Sequence, residues 1–384
     1  MTRDVKKDDS EWGVDTEKVA GTLRSRMQEQ GVQLAPGILI NEDEDATLHR
    51  FLRARKYDVD ATLKMLKDTL KWREQLNVDD KLASGYDVVK LKTIRENRPA
   101  TYVGWDRTGQ PVYVDRIGIL NQPAMEKAGI TSDDVVEFHI REMEFFTKHM
   151  LKDSSKKAGN TIETCCSVID VTGLKLSMFT KQVKELFAAI SKVDSDNYPE
   201  TLGRVYVFGA GVVFQTIWKV LKIFLDARTA SKIKVMGSGK KALAELHAAI
   251  EPDVLPDFLG GSVDFEYLRR KWAKVIDDAM RKEARAKGTG WPSAEEDAML
   301  HEFYGDVQLS PRQSLDDQPV SPRTRQSLES HKSKGLSLKR VFSKKERKPV
   351  HLGTPPPYDG VSAAVSQALG RADLLIEYLN THHS

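Results

Sequence analysis

Cations and hydroxyls gather most tellingly just behind the most apolar stretch of the chain. Thr229, Ser231, Lys232 and Lys234 follow residues 212–225, whose only long polar side chains, Gln215, Lys219 and Lys222, recur at i, i+4 and i+7. On a helix those three form one narrow seam, and the apolar arc left over is wider than a surface helix needs. Such a helix is buried in protein, turned to a membrane, or turned to a large apolar ligand. An ordinary core helix of an α/β domain meets the first condition. With the basic and hydroxyl cluster beside it, the pairing reads instead as a site for a lipid with a phosphorylated headgroup.

Other patterns that carry chemistry fall short. Gly237-Ser238-Gly239-Lys240-Lys241 hints at a phosphate loop, but Lys234 stands where its first glycine belongs and Lys241 where Ser or Thr would. It reads better as the entry to a helix carrying Leu243, Leu246 and Ile250. Gly209-Ala210-Gly211 lacks the third glycine of a dinucleotide fingerprint, which leaves close packing or a hinge. No Gly-x-Ser-x-Gly elbow occurs. The acid pairs Asp133-Asp134 and Asp316-Asp317 fall in turn-like or polar contexts where solvated charge is the default. Cys165 and Cys166 are neighbours in a strand-like run, so they point to opposite faces and make a poor disulfide. Two reduced, buried thiols are expected. With histidines scattered, neither a metal site, a cofactor nor an enzyme activity is expected.

Composition sets the frame. At 384 residues, 40% hydrophobic and 30% charged, the chain is long enough for a sizeable core plus accessory segments. Lys+Arg 59 against Asp+Glu 56 leaves a net charge of +3, too near balance to announce nucleic acid. The N-terminus is charged with no apolar core to a signal peptide, and no run of eighteen apolar residues exists. A cytoplasmic protein that meets membranes from the aqueous side is the expectation.

Stepping through the elements, residues 1–40 are polar and ambiguous. Leu48, Phe51 and Leu52, then Leu63, Leu66 and Leu70, recur at helical spacing, with Asp58 placed to cap the second helix. Residues 41–97 therefore read as a helical lobe. From Arg98 the pattern changes to Thr101-Tyr102-Val103-Gly104-Trp105 and Pro111-Val112-Tyr113-Val114-Asp115, two strands joined by a turn-like link. Beyond them helices alternate with strands. Val136 to Met150 marks a helix, Ile162 to Val171 a strand, Phe179 to Val193 an amphipathic helix, and 204–208 and 233–236 two more strands. Such alternation predicts an α/β sheet layered with helices across residues 98–264. Residues 265–304 follow as charged helices packing back on the domain, with Ser293-Ala294-Glu295-Glu296 as a capping box for the last.

Specific residues sharpen this. Tyr198-Pro199-Glu200, Phe224-Leu225-Asp226, Thr229-Ala230-Ser231-Lys232-Ile233 and Leu255-Pro256-Asp257-Phe258-Leu259-Gly260-Gly261, together with Arg50-Phe51-Leu52-Arg53-Ala54-Arg55-Lys56-Tyr57-Asp58-Val59, resemble the CRAL-TRIO lipid-binding family. Within it, the likeness is nearest the fungal secretory phosphatidylinositol transfer type. The resemblance spans roughly residues 40–265. It implies a mainly parallel mixed sheet flooring an apolar lipid pocket, closed by a gate helix. It assigns Arg55, Lys56, Glu200, Thr229 and Lys232 to the phosphatidylinositol headgroup, and Val213, Phe214, Ile217, Trp218, Leu221, Phe224 and Leu225 to the gate and acyl chains. Taken singly, each polar residue has an ordinary reading: Arg55 and Lys56 as solvated helix residues, Glu200 as an acid near an element's end with Arg204 as ion-pair partner, Thr229 as an N-cap. In relatives that also carry phosphatidylcholine, strand hydroxyls hold that headgroup; here Ser167 keeps one while Cys165 offers only a weak thiol donor. The second ligand stays open between phosphatidylcholine, a sterol and another hydrophobe, and a tocopherol or retinoid carrier is disfavoured by the polar set.

A lid has a physical purpose. Each buried methylene contributes about 0.8 kcal/mol, so drawing two acyl chains into water costs on the order of tens of kcal/mol. A cavity as apolar as the bilayer removes that cost, and the 212–225 helix suits the role of lid, with hinges near Gly209, Gly211 and Arg228-Thr229.

Residues 305–384 are polar and Ser/Pro-rich, and the expectation is a disordered tail with a short helix near 361–379. Pro355-Pro356-Pro357-Tyr358 resembles a WW-domain ligand, presented as polyproline helix; Pro355, Pro356 and Tyr358 carry the motif. The basic run 339–348 suits anionic lipid surfaces at about 1 kcal/mol per basic residue. Ser310-Pro311 and Ser321-Pro322 look like phosphorylation sites, and phosphorylation of Ser343 would weaken membrane attraction. Two function classes follow: a monomeric phosphatidylinositol transfer or presentation protein, peripheral to Golgi or endosomal membranes and supporting phosphoinositide signalling; and a lipid-sensing adaptor recruiting a WW-domain ubiquitin ligase.

Overall fold

A computed structural model of the chain describes residues 13–225, 227–305 and 307. The tail motifs, from Ser310-Pro311 through the basic run to Tyr358 and the 361–379 stretch, lie outside these residues, as does Asp226.

The N-terminal region is helical, and more of it than expected. Within the stretch read as ambiguous, α1 (Thr16–Glu29) starts on Asp15, whose carboxylate accepts from Lys18 N at 3.1 Å. Its Ala20, Leu23 and Met27 recur at helical spacing and bury against Leu48, Phe51 and Leu52 of α2 (Glu44–Ala54) and Leu63 and Leu66 of α3 (Val59–Gln75). Three apolar positions among many charges made that stripe hard to see. Asp58 caps α3 as its position predicts, accepting from Ala61 N at 2.9 Å. α4 (Val88–Asn97) leads into the sheet.

The sheet has five strands in the order β1-β2-β3-β4-β5: β1 (Ala100–Trp105), β2 (Pro111–Asp115), β3 (Cys165–Asp170), β4 (Leu202–Phe208) and β5 (Ile233–Val235). β1 and β2 form the expected antiparallel pair, and every later pairing is parallel. β3 is shorter than the predicted 162–171 run. Parallel neighbours need crossovers, and helices supply them. From β2 the chain runs through α5 (Gln122–Lys127), α6 (Ser132–Phe145), a π turn at Phe146–Met150 and α7 (Leu151–Ala158) to β3. α8 (Lys181–Asn197) connects β3 to β4. α6 opens on a capping box of Thr131 and Asp134, and Asp134 also pairs with Lys90 Nζ at 2.7 Å, so this acid is structural rather than solvated.

After β4 the apolar run breaks into pieces. α9 (Val212–Leu221) passes into a 3-10 turn, Lys222–Phe224, then an extended Leu225, then the short α10 (Ala227–Ser231). The single 14-residue helix read from sequence is therefore an α-helix of ten residues with a tightened end, and that end sets Phe224 edge-on to Phe187 of α8 at 6.1 Å between ring centroids. α11 (Lys240–Ala249) starts at Gly239, which settles the glycine-rich loop as a helix entry. α12 (Phe265–Lys287) packs on β1 through Trp272, and α13 (Ala294–Tyr304) starts on the predicted Ser293 capping box.

Strand alternation then sorts side chains. Val112, Val114, Cys166, Val168, Tyr206 and Phe208 join Leu246, Ile250 and Trp272 in the main core. Their sequence neighbours Tyr113, Asp115, Cys165, Ser167, Ile169, Val205 and Val207 face the other way, into a cavity.

Candidate functional site

That cavity has a volume of about 860 Å³, toward the upper end of small-molecule sites. The sheet is its floor. α6 and the π turn form one wall through Val135, His139, Met143 and Phe146, and α8 forms another through Val183, Leu186, Phe187 and Ile190. The fourth side is α9. Phe214, Ile217, Trp218, Leu221 and Leu225 turn inward and line the space. Val213 does not: with Val212 and Ile223 it faces outward, these three being 38%, 81% and 51% exposed. Phe224 packs beside the cavity on Phe187 rather than lining it. Of the seven apolar residues expected on the gate, five reach the interior. The remaining apolar arc does not face protein, which explains why the run looked too apolar for a surface helix.

α9 is held by a thin contact set. Phe214 shares a buried apolar cluster with Val205 and Val207, and Ile217 and Val220 share one with Phe179, while the stacking of Phe214 on Trp218 at 6.0 Å is internal to the helix. At its N-terminal end Gly209 adopts φ 78°, and a Cβ there would lie 2.2 Å from Thr172 Oγ1. Only glycine fits that corner. Gly211 is the N-cap, without a side-chain cap.

The polar end of the cavity draws together the distant residues singled out by sequence. Arg55 and Lys56 leave α2 at its C-terminal cap, Glu200 precedes β4, and Thr229 and Lys232 sit on and just after α10; all five line the same cavity. Thr229 is inside a one-turn helix and is not its N-cap. Glu200 Oε2 receives Lys232 Nζ at 3.1 Å and Arg228 Nε at 3.2 Å, all three side chains being largely buried. The ion-pair partner is therefore Arg228, with Lys232, and not Arg204. Arg204 falls on the opposite strand face, within electrostatic reach of Asp106 and Cys166. Arg228 joins the site although sequence gave it only a hinge role; its position one residue before Thr229 was the available signal.

Within the described residues neither Arg55 nor Lys56 has an ion-pair partner; Arg55 Nη1 only donates to the carbonyl of Ala54 at 3.2 Å. Among the described residues, Arg55, Lys56, Arg228 and Lys232 thus gather at the same end as the Glu200 carboxylate. Three residues here are left-handed without being glycine: Lys56 and Tyr57 at φ 52° and 62°, and Glu200 at φ 56°. Each such residue costs on the order of 1–2 kcal/mol, which surrounding contacts must offset.

A second polar group, missed from sequence, lies in the wall and floor. Arg98 Nη2 meets Asp115 Oδ2 and its Nη1 meets Glu142 Oε2, each at 2.9 Å, and the Tyr113 hydroxyl donates to Glu142 Oε1 at 3.2 Å. Nearby, His139 Nε2 is 2.6 Å from Asp194 Oδ1. All six line the cavity. Burial raises the Asp115 carboxyl above its usual range despite Arg98. Burial alone would lower the His139 imidazole, but the facing Asp194 carboxylate outweighs it and the net shift is upward. Period-two spacing of Tyr113 and Asp115, and one-turn spacing of His139 and Glu142, place each pair on one face; the tertiary partner across the cavity was invisible. On the adjacent strand Cys165 Sγ lies 3.6 Å from Ser167 Oγ, both open to the same space, while Cys166 is in the core. Both cysteines are free; Cys166 is buried as expected, whereas Cys165, on the cavity face, is only partly buried.

Among the described residues no helix is long and apolar enough to cross a membrane. The arrangement supplies an apolar enclosure with a cationic, hydroxyl-bearing end, which is what an amphiphile with an anionic head requires.

Parts of the chain are similar to known proteins. The CRAL/TRIO domain matches residues 95–261, and the CRAL/TRIO N-terminal domain matches residues 8–68. The chain is 34% identical over 220 residues to the Arabidopsis thaliana "Phosphatidylinositol/phosphatidylcholine transfer protein SFH12", covering 57% of this chain and 40% of that protein. It is 33% identical over 218 residues to the Kluyveromyces lactis "SEC14 cytosolic factor", covering 57% of this chain and 71% of that one. The match thus spans about two fifths of the plant relative's length. A solved structure, "Crystal structure of Sfh5", overlays with a TM-score of 0.48 at 20% identity, covering 63% of this chain and 84% of that chain.

Proposed function

The chain belongs to the CRAL/TRIO family, and from that premise we propose that it takes phosphatidylinositol out of membranes and transfers or presents it. One observation carries the reading: an apolar cavity of about 860 Å³ whose polar end gathers Arg55, Lys56, Glu200, Arg228, Thr229 and Lys232 from three separate parts of the chain. In this reading the cations meet the headgroup phosphate, with the guanidinium forks and the lysine point charges sharing it. Glu200 and Thr229 take the inositol hydroxyls. The acyl chains lie between the sheet floor and the inner face of α9. Phosphatidylcholine, which the plant relative's name includes, is the proposed second ligand, received near Ser167.

Exchange needs the cavity to open. α9 is the element to move: its inner contacts are few, its outer face already carries exposed Val212 and Ile223 beside Lys219 and Lys222, and Gly209 marks its hinge. A membrane replaces the contacts that water would not, so opening is less costly there than in solution. Cytosolic work at Golgi or endosomal membranes, and service to phosphoinositide signalling, belong to the same proposal. The Pro355-Pro356-Pro357-Tyr358 motif favours a second reading, an adaptor that senses lipid and recruits a WW-domain ligase.

The test is transfer of labelled phosphatidylinositol between vesicles by the full chain. Wild type moves it, and Arg55→Ala with Lys232→Ala abolishes movement while circular dichroism stays unchanged. Undiminished transfer by that double variant would remove the headgroup assignment. Transfer-deficient wild-type protein whose tail still captures a WW-domain partner would favour the adaptor.

A further inference from the structure

Glu200 keeps a left-handed backbone that a glutamate adopts only under constraint. The constraint lies immediately upstream. Tyr198 is buried, its ring meets Trp72 of α3 edge-on at 5.9 Å, and its hydroxyl donates to Glu144 Oε1 at 2.8 Å. Glu144, on α6, is wholly buried and receives Arg73 Nη1 and Nη2 at 2.9 Å each, with Lys148 Nζ at 3.1 Å. Arg73 belongs to α3. One turn earlier on the same helix, Thr69 Oγ1 donates to the carbonyl of Asp196 at 3.0 Å. Downstream, Thr201 Oγ1 donates back to the carbonyl of Tyr198 at 2.8 Å.

α3 and α6 together therefore grip the segment that delivers Glu200. Between grip and glutamate stands only Pro199, whose φ is fixed by its ring. Few torsions remain for Glu200 to drift. A buried guanidinium and carboxylate are a poor way to gain stability, since well-packed apolar residues of similar volume do as well or better. What the fork supplies is a fixed angle.

We propose that Arg73, Glu144 and Tyr198 are positioning residues for the headgroup end of the cavity. They hold Glu200 where its carboxylate organises Arg228 and Lys232, and so set preference for the inositol-phosphate head without affecting how acyl chains are held. This rests on the assignment of the Glu200 cluster to that headgroup.

Tyr198→Phe is the incisive variant. It deletes one donor, leaves the ring against Trp72, and leaves Glu144 with Arg73 and Lys148, so folding is retained. Two readouts on the full chain are compared: transfer of phosphatidylinositol between phosphatidylcholine vesicles, and uptake of a pyrene-labelled fatty acid, which has no inositol. Phosphatidylinositol transfer is expected to fall about tenfold, the scale of one hydrogen bond to a charged group, with fatty-acid uptake unchanged. Arg73→Lys, which keeps the charge and loses the fork, falls in the same direction by less. If both readouts fall together in Tyr198→Phe, the network is general support and the proposal is overturned. If neither moves while Glu200→Gln still loses phosphatidylinositol transfer, the proposal fails and the headgroup assignment stands. If Glu200→Gln itself transfers normally, the assignment fails first.

Discussion

Adjacent residues on the same strands serve opposite ends. On β3, Cys166 and Val168 are fully buried in the main core, where Leu246 and Trp272 complete the packing. Cys165, Ser167 and Ile169, one residue over, face a space that the protein's own side chains leave open. The two faces also differ in chemistry: core-side positions on β2 are Val112 and Val114, while cavity-side Tyr113 and Asp115 join Arg98, Glu142, His139 and Asp194 in a charged patch. A core face is optimised for density, since voids forfeit both transfer energy and dispersion contacts. A cavity face is kept open at the expense of stability that a filled core would give, and its polar groups pair across wall and floor, although Asp115 Oδ1 has no partner among the described residues. The difference teaches that stability and function are separated here by a single step of strand alternation.

The sharpest way to break this division is to fill the cavity from its floor. Ser167→Trp places an indole in the cavity while leaving Cys166 and Val168 in the core, so on the proposed function lipid loading should drop at least about tenfold with the fold preserved. Lipid co-purifying with the variant, quantified by mass spectrometry, checks this, and undiminished loading would show that Ser167 does not bound the ligand.

A neighbouring pair gives the next largest effect. Val168→Ala removes methyls from a packed core and should cost about 2 kcal/mol, whereas Ile169→Ala in lipid-stripped protein should cost under about 1 kcal/mol because part of its surface meets no protein. Urea unfolding of both variants reads the difference. Equal losses would mean that the two faces are packed alike.

The smallest effect is a pH dependence confined to the cavity wall. Because Asp194 holds the folded-state pKa of His139 above its unfolded value, the ion pair contributes stability that is fully present below the unfolded pKa of about 6.5 and is lost as pH rises through the higher folded value. The melting temperature of His139→Gln should therefore trail wild type most near pH ~6 and converge with it at higher pH. A constant gap across that range would assign His139 to packing alone.

Much of this was legible in the residues. Asp58 and Ser293 announce their caps and β1 and β2 their antiparallel pairing, while α1 escaped notice because only three of its apolar residues are buried, and the short α5, α7 and α10 carry too few positions to show a period. The convergence of Arg55, Lys56, Glu200, Thr229 and Lys232 was legible through motif resemblance, since all five line one cavity. Arg204 was misjudged because sequence distance counted it as near Glu200, while strand alternation sends it to the other face. Val213 and Phe224 were misjudged because an apolar residue on a lid looks the same whether it faces in, out or sideways.

The sequence by itself determined the strands, the capped helices, their order and the alternation that puts Cys165 and Cys166 on opposite sides, because those follow from local propensity, capping and a period of two. Tertiary structure alone decided which side is hollow, that Glu144 is reached by Arg73 across 71 residues of chain and by Tyr198 across 54, and that Arg228 is the partner of Glu200. Hollowness and long-range pairing are properties of how layers meet. No local pattern encodes the distance between two layers, and that distance is what separates a core from a container.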